Sequence, residues 1–177
     1  MKFLCALHWS FTFLAICTSA YESGIQYDIP YVNLVLAGCS KCYNAVLTSA
    51  TKSSHIKSCS GPYLFVGIQS PDNVTFVVGA FAPAAEVQIP TTLSNSHLSN
   101  GLYWHFEEEK TFGFSMSRDA RLRMIPDSGI GHESDVGPAR KLLWSLDQTY
   151  IQVKNLRPNS LATSLSNQAK WILNCPG

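Results

Sequence analysis

The chain is poor in charge: only 14% of its residues are Asp, Glu, Lys or Arg, and the 13 basic residues nearly balance the 12 acidic ones. That balance excludes the basic footprint on which nucleic-acid binding depends. Histidine is scarce and scattered, with no H-x-x-x-H pair, which argues against a zinc site. No G-x-S-x-G elbow surrounds Gly61, Gly67 or Gly79, so the sequence offers no hydrolase triad. There are no internal repeats or low-complexity tracts. With 46% hydrophobic residues the chain is too apolar for a disordered tail, and 177 residues fit one domain better than two.

The longest apolar run stands at the N-terminus. Lys2 precedes an apolar stretch from Phe3 to Cys17, and Thr18-Ser19-Ala20 supplies small residues before a cut after Ala20. This is the layout of a secretory signal peptide. A retained membrane anchor is the alternative, but the run is short and broken by His8, Ser10 and Thr12. No later segment is long and apolar enough to span a bilayer. The sequence therefore divides into a signal peptide, 1–20, and one secreted domain, 21–177. Without Lys2 the domain is formally neutral.

Of the six cysteines, Cys5 and Cys17 leave with the signal peptide. Cys39, Cys42, Cys59 and Cys175 remain, an even number that suggests two disulfides with three possible pairings. Cys42 with Cys59 and Cys39 with Cys175 is the favoured structural arrangement. Cys39-Ser-Lys-Cys42 is also a C-x-x-C following an apolar run, where a thioredoxin-type site would have a helix lowering the first thiol's pKa. Ile89-Pro90-Thr91 echoes the proline segment of such sites, but a hairpin occupies the place of the βαβ unit. Asn73-Val74-Thr75 is an N-glycosylation sequon beside a turn-forming run.

Short strands dominate the remaining pattern. Tyr31–Leu36 is β-rich, and Tyr63–Gln69 with Val74–Ala82 reads as a hairpin of central strands covered on both faces. Gly101–Phe106 and Thr111–Phe114 form a second hairpin, joined by Glu107–Lys110. Leu142–Trp144 and Lys170–Leu173 are later strands. Asn44–Ser58 and Ser160–Ala169 are helix candidates, and residues 118–140 form a polar loop. The expected fold is mainly β, with α+β possible: an antiparallel two-sheet sandwich with one or two short peripheral helices.

Several spaced motifs share their order with a family of secreted modules. Gly38–Tyr43 resembles that family's W-T-x-C-Y opening, with Cys39 in place of Trp. Ile56–Gly67 is similar to its I-x-x-C-x-G-x-x-L-x-V-G segment, and Val78–Pro83 to A-A-x-G-P. Gly101–Phe106 and Phe112–Phe114 resemble G-V-x-W-Y and W-G-F, while Arg140–Trp144 resembles R-L-x-W. Lys170-Trp171-Ile172 sits near the closing W-x-x-V-I. The C-D-T element is replaced by Ile125–Ser128, and G-G-Y-R-C-G by Tyr150–Leu156. The resemblance spans residues 38–173 and is distantly TLDc-like; it implies a two-sheet sandwich and a secreted location, with no established activity.

Four groups bear on a possible site. Asp127, His132, Glu133 and Asp135 surround two glycines, as carboxylates in calcium loops do, but their spacing matches no established loop; Asp127, Glu133 and Asp135 are the metal candidates. Glu107, Glu108 and Glu109 fall in the expected hairpin turn, where nothing fixes the separation a glycosidase needs. On an alternating strand, Tyr103 and His105 share the face opposite Trp104 and Phe106, so they could stack on a sugar or anchor a protein. Arg118, Arg121 and Arg123 form a small basic cluster. The expected function is a non-catalytic extracellular binding module without cofactor, its partner a glycan or a protein. The alternatives are a secreted enzyme (a thiol–disulfide oxidoreductase at Cys39 and Cys42, or a hydrolase without a located site) and a structural matrix or coat component.

Overall fold

The computed structural model describes residues 4–5, 17–18, 21–47, 49–72, 74–92, 95–118, 141–146, 151–154 and 168–177. Two antiparallel five-stranded sheets form the domain. In the first, the strand order is β3 (Gln26–Pro30), β6 (Thr75–Pro83), β5 (Tyr63–Gln69), β12 (Ala169–Cys175) and β4 (Ser40–Val46). In the second it is β11 (Ile151–Lys154), β10 (Lys141–Ser145), β9 (Thr111–Ser115), β8 (Leu102–Glu107) and β7 (His97–Ser99). The short strands β1 (Leu4–Cys5) and β2 (Cys17–Thr18) pair only with each other. Helices α1 (Tyr31–Leu36), α2 (Ser53–Lys57) and α3 (Ala84–Val87) lie between strands. This is the mainly β two-sheet fold that the strand pattern predicts.

The inner faces interdigitate because both sheets alternate. Leu64, Val66, Ile68, Val78, Ala80 and Ala82 of the first sheet meet Trp104, Phe106, Phe112, Phe114, Leu142 and Trp144 of the second. The opposite face of the first sheet carries its own apolar cluster, in which Phe65, Phe76, Phe81 and Leu173 are covered by Tyr21, Ile29, Tyr31 and Leu34. Tyr21 and α1 thus lay a partial third layer over this face, with Ile29 joining from the edge strand β3 of the same sheet. This explains why β5 and β6 read as continuous apolar runs: they are buried on both faces.

Three sequence expectations change. Tyr31–Leu36 is a helix, not a strand. Pro30 stands at its N-cap, the Tyr31 amide bonds to the Val74 carbonyl, and only Leu34 turns fully inward. The layer must turn back across the sheet there, and that tertiary demand overrides β-branched propensity. The proposed helix Asn44–Ser58 shrinks to the five residues of α2, because Asn44–Val46 belongs to β4. Ala169, the last residue of the other helix candidate, begins β12, and residues 160–167 lie outside the described residues.

β7 is a strand that the apolar pattern does not mark. Its turn into β8 is Asn100-Gly101, both with positive φ (47° and 78°), as a two-residue type I′ hairpin requires. At the first sheet's edge, Asp28 has φ 51° within an unshifted β3–β6 register, and Pro30, which has no amide proton to donate, ends the strand; both blunt it against further pairing.

Candidate functional site

The cysteines close as Cys39–Cys175 and Cys42–Cys59, with Cα separations of 4.1 and 5.6 Å. Cys39 follows α1 and Cys175 ends β12, so the first bond ties the start of β4 to the chain's end. Cys42 lies on β4 and Cys59 just past α2. Cys39 and Cys42 are therefore not bonded to each other, and no helix begins at Cys42 as a thioredoxin-type site demands. Thr91, in the segment that echoed the proline loop, is hydrogen-bonded to Phe106 through both its amide and its hydroxyl.

Strand β8 alternates as the sequence predicts. Leu102, Trp104 and Phe106 enter the inter-sheet core, and Tyr103 and His105 point to the outer face of the second sheet. The two differ in access: Tyr103 is partly exposed, whereas His105 is buried. Register places Leu98, Tyr103, Ser115 and Lys141 in one row across β7–β10, with Gly113 and Leu143 beside His105 in the next. Ser115, Lys141, Leu143 and Ser145 are all buried, while Leu98 is 57% exposed. Among the described residues, Leu98 with Tyr103 thus forms the accessible apolar part of this face. The signal for Leu98 in the sequence is the Asn100-Gly101 pair, a type I′ turn that implies a strand before it.

The buried part has a defined proton arrangement. Ser115 Oγ donates to the Ser117 carbonyl at 2.6 Å and lies 2.8 Å from His105 Nε2. A hydroxyl has one proton, so His105 Nε2–H donates to Ser115. Burial, with a smaller contribution from the Lys141 ammonium, holds the imidazole pKa down to about 4. The ring is neutral near pH 7, and its hydrogen bond to Ser115 runs opposite to the one a general base makes to a serine nucleophile. This arrangement joins two strands and does not activate Ser115.

A second buried cation lies on β12. Lys170 is almost fully buried, donates to the Ser49 carbonyl and sits 5.9 Å from the centre of the Trp144 ring. Burial pushes its pKa down to about 8.

The acidic turn does not form a catalytic pair. Glu107 pairs with Lys110 at 2.8 Å, Glu108 with Lys57, and the Glu109 amide donates to Ser53 Oγ. Asp127, His132, Glu133 and Asp135, with Arg121 and Arg123, lie outside the described residues, and so does Asn73. Its neighbours Asp72 and Val74 are exposed at the β5–β6 turn, where Asp72 Oδ1 accepts from the Val74 amide at 3.0 Å. Among the described residues no group of three or more His, Cys, Asp or Glu could hold a metal, and no helix is long and apolar enough to cross a membrane. Comparison of the chain with protein-family models, curated proteins and solved structures found no match.

Proposed function

We propose that the protein is a secreted, disulfide-stabilised, non-catalytic module that binds an extracellular glycan or protein. The observation that carries this reading is the closure of all four cysteines outside the leader-like segment into two bonds, a pattern that suits an oxidising compartment. The layout of residues 1–20 and the motif order shared with secreted modules support it. Asn73 is the proposed glycan attachment point, favoured by the exposed turn around it.

The contact surface in this reading is Tyr103 with Leu98, an aromatic ring beside an exposed aliphatic side chain. Such a pair offers apolar area for a sugar face or a partner's anchor residue. The test is a glycan array together with capture from extracellular fluid, comparing the native domain with Tyr103→Ala. Loss of one specific ligand in the variant, with unfolding unchanged, supports the reading. Identical binding by both proteins refutes the Tyr103 surface. Recovery of the protein inside the cell with four free thiols refutes secretion.

A further inference from the structure

The surface of Leu98 and Tyr103 has a charged edge. Beyond β9 the chain folds back: Ser115 Oγ donates to the Ser117 carbonyl at 2.6 Å, and Ser96 Oγ donates to the Arg118 carbonyl at 3.0 Å. Ser96 stands just before β7, two residues from Leu98, a step of about 7 Å along an extended chain. β8 lies between β9 and β7, so residues 115–118 cross it on the face that carries Tyr103 and His105. Arg118 ends this crossing exposed, with its main chain pinned to Ser96.

The charge on this face is positive. Lys141 lies in the same cross-strand row as Tyr103, and its ammonium adds to burial in lowering the pKa of His105. Glu107, on the same side of β8, is about 13 Å along the strand from Tyr103 and pairs with Lys110. Glu86 pairs with His97, which faces the Trp104 side of the sheet. Among the described residues, Arg118 has no carboxylate partner.

The size and chemistry of the surface narrow its ligand. Even with Met116 of the crossing segment, 55% exposed, three apolar side chains fall well short of the roughly 800 Å² that a standard protein interface buries on each side. A flat ring against Tyr103 needs far less area. An arginine fork matches a carboxylate with two parallel hydrogen bonds.

We propose that this surface takes an acidic sugar, its ring stacked on Tyr103 beside Leu98 and its carboxylate held by the Arg118 guanidinium. The proposal rests on the binding-module reading above and adds the ligand's charge and the residue that selects it.

The test titrates oligomers of galacturonic, glucuronic and sialic acid, and their methyl esters, against the native protein by calorimetry. Esterification removes the charge and keeps the ring. At least one acid should bind tighter than its ester by roughly tenfold, and added salt should weaken the acid alone. Arg118→Gln should bring that acid down to the level of its ester, and Arg118→Lys, which keeps the charge without the fork, should fall between. Tyr103→Ala should weaken acid and ester together. An acid bound no tighter than its ester, Arg118→Gln without effect, or no binding of any acid overturns the acidic-sugar assignment. If a neutral glycan, a sulfated sugar or a protein is then bound through Tyr103, the wider reading stands. A Tyr103→Ala variant that binds every ligand as the native protein does overturns both.

Discussion

Phe65 fills the space that a side chain on Gly79 would need. A Cβ built on Gly79 would lie 2.1 Å from Phe65 Cζ, and one on Gly67, its cross-strand partner, 2.9 Å from the same ring. The aromatic ring thus lies over a pair of glycines in the two central strands. Gly79→Ala should force that ring out of its rotamer, costing about 2–3 kcal/mol. A drop of roughly 5–10 °C in the thermal midpoint would be the sign, given a domain of this size. Phe65→Leu in the same chain should recover part of it, and full additivity of the two changes would rule out the clash.

Acid should weaken the fold through His105. Its folded pKa is about 4 against an ordinary 6.5, so the folded state resists protonation more than the unfolded chain does. The contribution is fully present above pH 6.5 and is lost as pH falls towards 4, by about 3 kcal/mol in all. Urea unfolding measured from pH 7 to 4 should show that slope in the native protein and a shallower one in His105→Gln. The amide of that variant can still donate to Ser115.

Lys170 should act on the alkaline side. With a folded pKa of about 8 against 10.5 in the unfolded chain, the folded state holds fewer protons between these values. Stability should therefore rise as pH increases from 8 to 10.5, and stay level with respect to this group below 8. Lys170→Met should abolish the rise and match or exceed native stability at pH 7, since it removes a buried charge. A steeper loss at pH 7 would mean that the bond to Ser49 outweighs the burial.

The two disulfides should contribute unequally. They enclose sequence separations of 17 and 136 residues, so chain entropy assigns about 3 kcal/mol to Cys42–Cys59 and about 5 kcal/mol to Cys39–Cys175. Paired replacements by Ala, compared by urea denaturation, should follow that order. Peptide mass mapping of the native protein should recover these two linkages; a Cys39–Cys42 peptide would revive the redox alternative.

Much of the architecture was legible because strands that bury both faces leave apolar runs, as in Tyr63–Gln69, and strands with one aromatic face alternate, as in Leu102–Glu107. Alternation also put Tyr103 and His105 on one side. It carried no information on whether that side is covered, so the burial of His105 emerged only with Ser115 and Lys141 beside it. Tyr31–Leu36 misled for a related reason. Its residue types favour a strand, and the need to fold back over Phe76 and Phe81 acts from sequence positions more than 35 residues away.

The bond between Cys39 and Cys175 also decides how the domain would respond to tension. A pull on its two ends passes through that covalent link and bypasses the 136-residue span it closes. Outside that link, the stretch from Tyr21 to Gly38 and the two residues after Cys175 can pay out, an extension of roughly 60 Å at the reach of an extended chain. Strands β4 to β12 and the second disulfide lie inside the loop and carry no load, whereas β3 and α1 lie outside it and would be drawn off the first sheet. Anchored between two surfaces, such a module would lengthen by a fixed amount and then hold, keeping its outer face intact.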